Sequence, residues 1–89
     1  MDKLQIENVD EFEVARFNPD WLKNAGEFIT YFPKVRVNQL VTVGQPIASM
    51  ETCRCITTVT APFTGKVTFV DRGSVDGIKN RILFTFKRR

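Results

Sequence analysis

The sequence predicts a mainly β fold, a compact barrel or sandwich carrying one short helix, within a single domain of 89 residues. Three observations predict it. Short runs rich in β-branched and aromatic residues recur along the chain, Phe28–Phe32 and Ile56–Ala61 among them. Glycine, proline, asparagine and aspartate punctuate these runs at short intervals, as turns require. Only residues 18–26 carry helix start and stop signals.

Taken in order, residues 1–11 form a polar lead-in with little to bury and are expected as an N-terminal arm, leaving 12–89 as the domain. Phe12 to Phe17 suits a first short strand. Asn18-Pro19-Asp20 then supplies a capping side chain, a proline at the first helical position and an acid in the first turn. A helix near residues 19–25 follows, with Gly26 as its stop and tertiary packing to hold two turns together. Phe28–Phe32 reads as a buried strand broken at Pro33. Trp21, Phe17, Phe28 and Phe32 are expected in the core, because so small a domain needs its large aromatics inside.

Val35, Val37, Val41 and Val43 surround a turn at Asn38-Gln39, where asparagine can take a left-handed backbone. Two apolar runs, Ile47–Met50 and Ile56–Ala61, flank Glu51, Thr52 and the triplet Cys53-Arg54-Cys55, an arrangement that predicts a hairpin with Arg54 displayed at its tip. Lys66–Val70 is the next strand, and Asp71-Arg72-Gly73 and Asp76-Gly77 are turns around Val75. The clearest alternation in the chain predicts a last strand over Ile82–Phe86.

Composition excludes several classes. With 43% hydrophobic and 26% charged residues the chain is that of a globular domain, and no apolar run approaches the roughly 20 residues that span a bilayer. No membrane insertion is expected. The acidic N-terminus fits neither a secretory signal nor an Arg-rich transit peptide. Two cysteines one residue apart make a strained ring, which points to free thiols in a reducing intracellular compartment, cytoplasm or organelle matrix. There is no histidine, no phosphate-cradling glycine loop and no convincing carboxylate pair, so no catalytic constellation emerges and no enzyme is expected. Charge is uneven: residues 1–27 sum to −4 and residues 28–89 to +7.

The pattern Val37-x-x-x-Val41-x-Val43-Gly44-Gln45-Pro46-Ile47, then Met50-Glu51-Thr52, then Ala61-Pro62-x-x-Gly65-Lys66-Val67 resembles the biotinyl/lipoyl-attachment domain superfamily. Glu51 to Gly65 matches the family segment in length without a gap. Asn18–Gly26, followed by a strand ending at Pro33, resembles the region preceding the hairpin in the glycine cleavage system H protein, here truncated after Gly73. The resemblance spans about residues 17–72. It implies a flattened lipoyl-like β-barrel, the barrel-sandwich hybrid, closed by Ile82–Phe86. It also implies a modified lysine at the hairpin tip, where a swinging arm is exposed and mobile.

The matching residue here is Arg54. A guanidinium stays protonated and delocalises its lone pairs, so it cannot form the lipoyl or biotinyl amide that a lysine amine forms. No cofactor is therefore expected. The resemblance leads to a non-lipoylated, non-enzymatic domain that serves as an interaction or structural subunit of a larger assembly. A protein partner would meet Glu51, Thr52, Cys53, Arg54 and Cys55 at the tip, or the basic end Lys87-Arg88-Arg89. Arg54 suits bidentate pairing with a carboxylate or phosphate, weighed equally against a leftover surface charge. Cys53 and Cys55 could bind a soft metal or respond to oxidation. Four-ligand sites need more than two cysteines, and small hairpin residues without chemistry are the favoured reading. The first alternative function is a decoy, regulator or divergent carrier of the lipoylation or glycine cleavage system. The second is an RNA-contacting subunit using the basic end, a weak signal without interleaved aromatics.

Overall fold

A computed structural model describes residues 2–89. Eight strands form two antiparallel sheets: β1 Leu4–Val9, β2 Phe12–Phe17, β3 Phe28–Pro33, β4 Leu40–Val41, β5 Pro46–Thr52, β6 Ile56–Thr60, β7 Gly65–Val70 and β8 Phe84–Arg88. One α-helix, α1, spans Pro19–Ala25, and a 3₁₀ turn spans Ile78–Asn80. The larger sheet has the order β1-β2-β8-β7-β4 and the smaller β3-β5-β6. The mainly β expectation with one short helix holds.

The inner faces of both sheets share one core. Ala15 and Phe17 on β2, Val67 and Val70 on β7, and Phe84 and Phe86 on β8 meet Tyr31 on β3, Met50 on β5 and Val59 on β6. Alternation along each strand produces this division, since successive side chains point to opposite faces of a sheet. Bulges interrupt it where the register shifts. At Pro46/Ala48 the shift lets adjacent Ile47 and Ala48 both reach the core, each fully buried. Gly65 allows β7 to approach β8 closely, because a Cβ there would lie 2.7 Å from the Lys87 carbonyl oxygen.

The helix forms as its residues dictate. Asn18 is extended and its side chain accepts from the Asp20 N–H, Pro19 opens the helix, and Gly26 ends it at φ 84°, ψ −178°. Leu22 and Trp21 pack on the core. Phe17 stacks on Trp21 with centroids 5.6 Å apart and meets Phe28 edge-on at 5.1 Å and Tyr31 at 6.0 Å. Asn38 takes the left-handed backbone expected of it, at φ 76°.

Several expectations change. The barrel is not closed: β8, expected to close it, lies in the middle of the larger sheet between β2 and β7. The edge strands β1 and β6 are not paired with each other, and a recess lined by Leu4, Ile6, Val59 and Pro62 separates them. Residues 1–11 are not simply an arm, because β1 pairs along its whole length with β2 and turns Leu4 and Ile6 onto the core. Its hairpin turn uses Asp10 at φ 56° where a glycine would have advertised it.

Phe28–Pro33 is an edge strand rather than a buried one. Phe32 is 63% exposed and leaves the aromatic cluster, and Ile29 is half exposed at a bulge between Phe28 and Thr30. The last strand starts two residues late. The chain reaches it through the 3₁₀ turn, whose Ile78 is buried, and Leu83 and Phe84 are then buried in succession. Arg81 ties the 71–77 loop down by an ion pair to Asp71 at 2.9 Å and by donating to the carbonyls of Ser74 and Asp76. The Tyr31 hydroxyl is buried with no hydrogen-bond partner. Burial, reinforced by the Asp71 carboxylate and opposed by Arg81, holds its ionisation far above the usual tyrosine range.

Candidate interaction site

The β5–β6 hairpin presents Cys53-Arg54-Cys55 at its tip, as the sequence predicts, and all three residues are exposed. Thr52 shapes that tip from below. It is only 3% exposed, so it is no contact residue for a partner. Its N–H donates to the Cys55 carbonyl at 2.8 Å, and its Oγ1 accepts the backbone N–H groups of Arg54 and Cys55, both at 3.2 Å. With its oxygen so engaged, the Thr52 hydroxyl proton is left for Cys55 Sγ, 3.6 Å away. Valine here would keep the shape and leave both N–H groups without an acceptor.

The end of α1 braces the other side. Cys53 N–H donates to the Glu27 carbonyl at 2.8 Å, and Glu27 N–H returns a bond to Cys53 Sγ at 3.2 Å. Arg54 folds back so that Nη1 reaches the Asn24 carbonyl at 3.5 Å. That carbonyl lies in the last turn of the helix, where the negative end of the helix dipole favours a cation. Gly26 makes the fit possible. A Cβ there would stand 2.8 Å from Cys53 Sγ and 2.9 Å from Arg54 Cγ.

Beside the tip lies an apolar surface that the sequence did not announce. Glu51 pairs across the hairpin with Ile56, and both turn away from the core, with Ile56 82% exposed. On the same outer face β3 contributes Ile29 and Phe32, the latter opposite Ser49. Glu51 thus shares an outer sheet face with Ile56, Ile29 and Phe32, while the Arg54 side chain lies against Gly26 and Asn24 at the end of α1. The bulge at Ile29 hides this set from a period-two reading of FITYF. Ile56 could have been found, since it stands first in its strand opposite a charged residue.

The basic end is elsewhere. Arg89 N–H donates to the Thr64 carbonyl at 3.1 Å, beside the loop at the far end of β6 from the tip. Lys87 pairs with Glu11 at 3.4 Å and Arg88 with Glu13 at 3.7 Å, and the Arg88 guanidinium sits 4.3 Å from the centroid of Phe63. The structure therefore does not join Lys87, Arg88 and Arg89 to Glu51–Cys55. Two of those three charges face acidic partners within the chain.

No protein-family model matches the chain, and no curated protein sequence is detectably similar to it. Among the described residues no group of three or more cysteine, aspartate or glutamate side chains is gathered to hold a metal. No described helix is long and apolar enough to cross a membrane.

Proposed function

We propose that this chain is a non-enzymatic, non-lipoylated domain of the lipoyl-like kind, acting as an interaction or structural subunit of a larger assembly. The observation that carries this reading is the braced, displayed tip beside exposed Ile56, Ile29 and Phe32. Arg54 stands where the resemblance implies the modifiable lysine, and its side chain lies on the end of α1 rather than reaching outward. Exposed Ile56, Ile29 and Phe32 on one sheet face near the tip, with an exposed arginine at the tip itself, are the composition expected where a protein partner docks. Function on this view resides in the surface of the scaffold and not in a prosthetic group.

Native mass measurement on the chain isolated from its source material tests the reading. The expected result is a complex with a different protein, lost when Arg54→Glu and Ile56→Asp are introduced together, while the fold measured by circular dichroism is retained. Recovery of the chain only as a free monomer or as copies of itself would refute it.

A further inference from the structure

Four of the described strands end the two sheets, and three of these edges are guarded. β4 spans only Leu40–Val41, β3 carries a bulge and finishes at Pro33, and β1 bears Glu7 and follows Asp2 and Lys3. Short length, proline, bulges and charge keep an edge from recruiting another strand. β6 has none of the four. Ile56–Thr60 reads Ile-Thr-Thr-Val-Thr, rich in β-branched residues and free of charge and proline, and the bulge in its pairing with β5 lies on β5. Its free side opens on the recess lined by Leu4, Ile6, Val59 and Pro62 rather than on another strand.

The hydrogen bonds at both ends of β6 decide which backbone groups it offers there. The Cys55 carbonyl accepts from Thr52 N–H, and Ala61 both donates to the Gln45 carbonyl and accepts from Gly44 N–H. These bonds turn residues 55 and 61 towards β5, and alternation turns 57 and 59 the same way. Ile56, Thr58 and Thr60 therefore point their N–H and C=O groups to the free side, where no described group bonds to them. That row is symmetric about Thr58. A two-fold axis through Thr58, normal to the sheet, sets Thr58 against its own mate and Ile56 against Thr60 of the other copy. Every free group then meets its complement without a slip in register. The residue on such an axis always meets itself, and threonine pairs favourably across strands where a charge would repel its mate. Glu51 and Arg54 lie at the Ile56 end, whereas Asp2 and Lys3 line the recess with Thr60 and Pro62. The axis carries each of them to the opposite end from its own mate.

We propose that the occupant of the β6 edge is a second copy of the same chain, paired antiparallel strand to strand so that the two smaller sheets run on as one. A strand from another protein could use the same N–H and C=O groups. Symmetry of the row about an uncharged, β-branched centre is a property that only pairing with itself requires. The contact also covers part of Ile56, which is 82% exposed in the single chain. The far edges, β3 with its bulge and proline, stop growth at two chains. This pairing goes beyond the function proposed above and leaves Phe32 and the β3 side of the sheet free for a different protein.

Sedimentation equilibrium of the full chain, from low-micromolar concentration upward, tests the pairing. The expected mass approaches twice the 10.2 kDa of one chain and goes no higher. Thr58→Pro removes the N–H at the axis and leaves the β5 pairing untouched, since a proline is tolerated where its nitrogen faces a free edge. It should weaken association at least about ten-fold, with an unchanged circular dichroism spectrum. Thr58→Lys and Thr58→Glu should each associate poorly alone. An equal mixture of the two should recover the dimer, because residue 58 then meets the opposite charge. Phe32→Asp on β3, beyond β5 from the pairing edge, should leave the dimer intact while weakening the docking of a different protein, which separates this proposal from the preceding one. A chain that stays monomeric, a mass that climbs past two copies, a dimer indifferent to Thr58→Pro, a dimer lost with Phe32→Asp, or a mixture no tighter than either variant alone would each overturn it.

Discussion

Gly26→Ala is the sharpest single probe of how the tip is held. At φ 84° and ψ −178°, Gly26 occupies a region that side-chain-bearing residues essentially never enter, which costs alanine about 1–3 kcal/mol in backbone strain. Its new Cβ would meet Cys53 Sγ at 2.8 Å, so the sulfur must move and give up the bond from Glu27 N–H, worth about 0.5–1.5 kcal/mol. Together these predict a loss of about 2–4 kcal/mol. For a domain this size each kcal/mol lowers the melting midpoint by about 4–8 °C. Urea and thermal unfolding read the loss directly. In a Cys53→Ala background the sulfur is gone, and Gly26→Ala should then cost about 0.5–1.5 kcal/mol less, leaving the strain and the displacement of the Arg54 side chain, whose Cγ would lie 2.9 Å from the new Cβ. A cost under about 0.5 kcal/mol for Gly26→Ala, or an identical cost in both backgrounds, would show that the helix end does not brace the tip.

Four further outcomes follow. Tyr31→Phe removes a buried hydroxyl without a partner and should be neutral or stabilising by about 1 kcal/mol at pH 7, as chemical unfolding will register. The raised ionisation of Tyr31 means that the unfolded chain loses this proton near pH 10 while the folded chain keeps it. Stability should therefore fall as pH rises above that point, and Tyr31→Phe should flatten the alkaline decline by up to about 1.4 kcal/mol per pH unit. Arg81→Ala leaves Asp71 without its ion pair and frees the Ser74 and Asp76 carbonyls; hydrogen exchange should show the 71–77 amides losing protection, with a global cost of about 1–3 kcal/mol. Incubated with lipoate and biotin ligases, the chain should keep its unmodified intact mass, and one added acyl group on any lysine would refute the reading of Arg54.

What the sequence made legible was local. Phe12–Phe17 and the capped helix after Asn18 fall where they were expected, because alternation, a capping side chain and a proline act within a few residues. The hairpin at Cys53–Cys55 is legible for the same reason. Sheet order is not local, and β8 shows why. Phe84 and Phe86 announce a buried strand equally well at the closing edge of a barrel or between β2 and β7, and only distant pairing partners decide between them. Bulges erased two further signals. At Ile29 and Thr68 one extra residue lets neighbouring apolar side chains face outward, so Phe32, expected in the core, lies outside it, and Phe69 is 44% exposed. Gly26 looked like an ordinary helix stop, and nothing in the chain near it names Cys53 as its neighbour.

The bracing of the tip bears on what it can be used for. An arm that carries a group between sites gains from mobility, whereas a surface that binds gains from being ordered beforehand. Here the backbone of Cys53 is joined to Glu27, the turn is closed by Thr52, and Arg54 is already held by the Asn24 carbonyl. A loop whose backbone is ordered in the free protein loses less conformational entropy when a partner docks. That order comes at the expense of reach. A tip built this way is suited to hold a partner in one geometry.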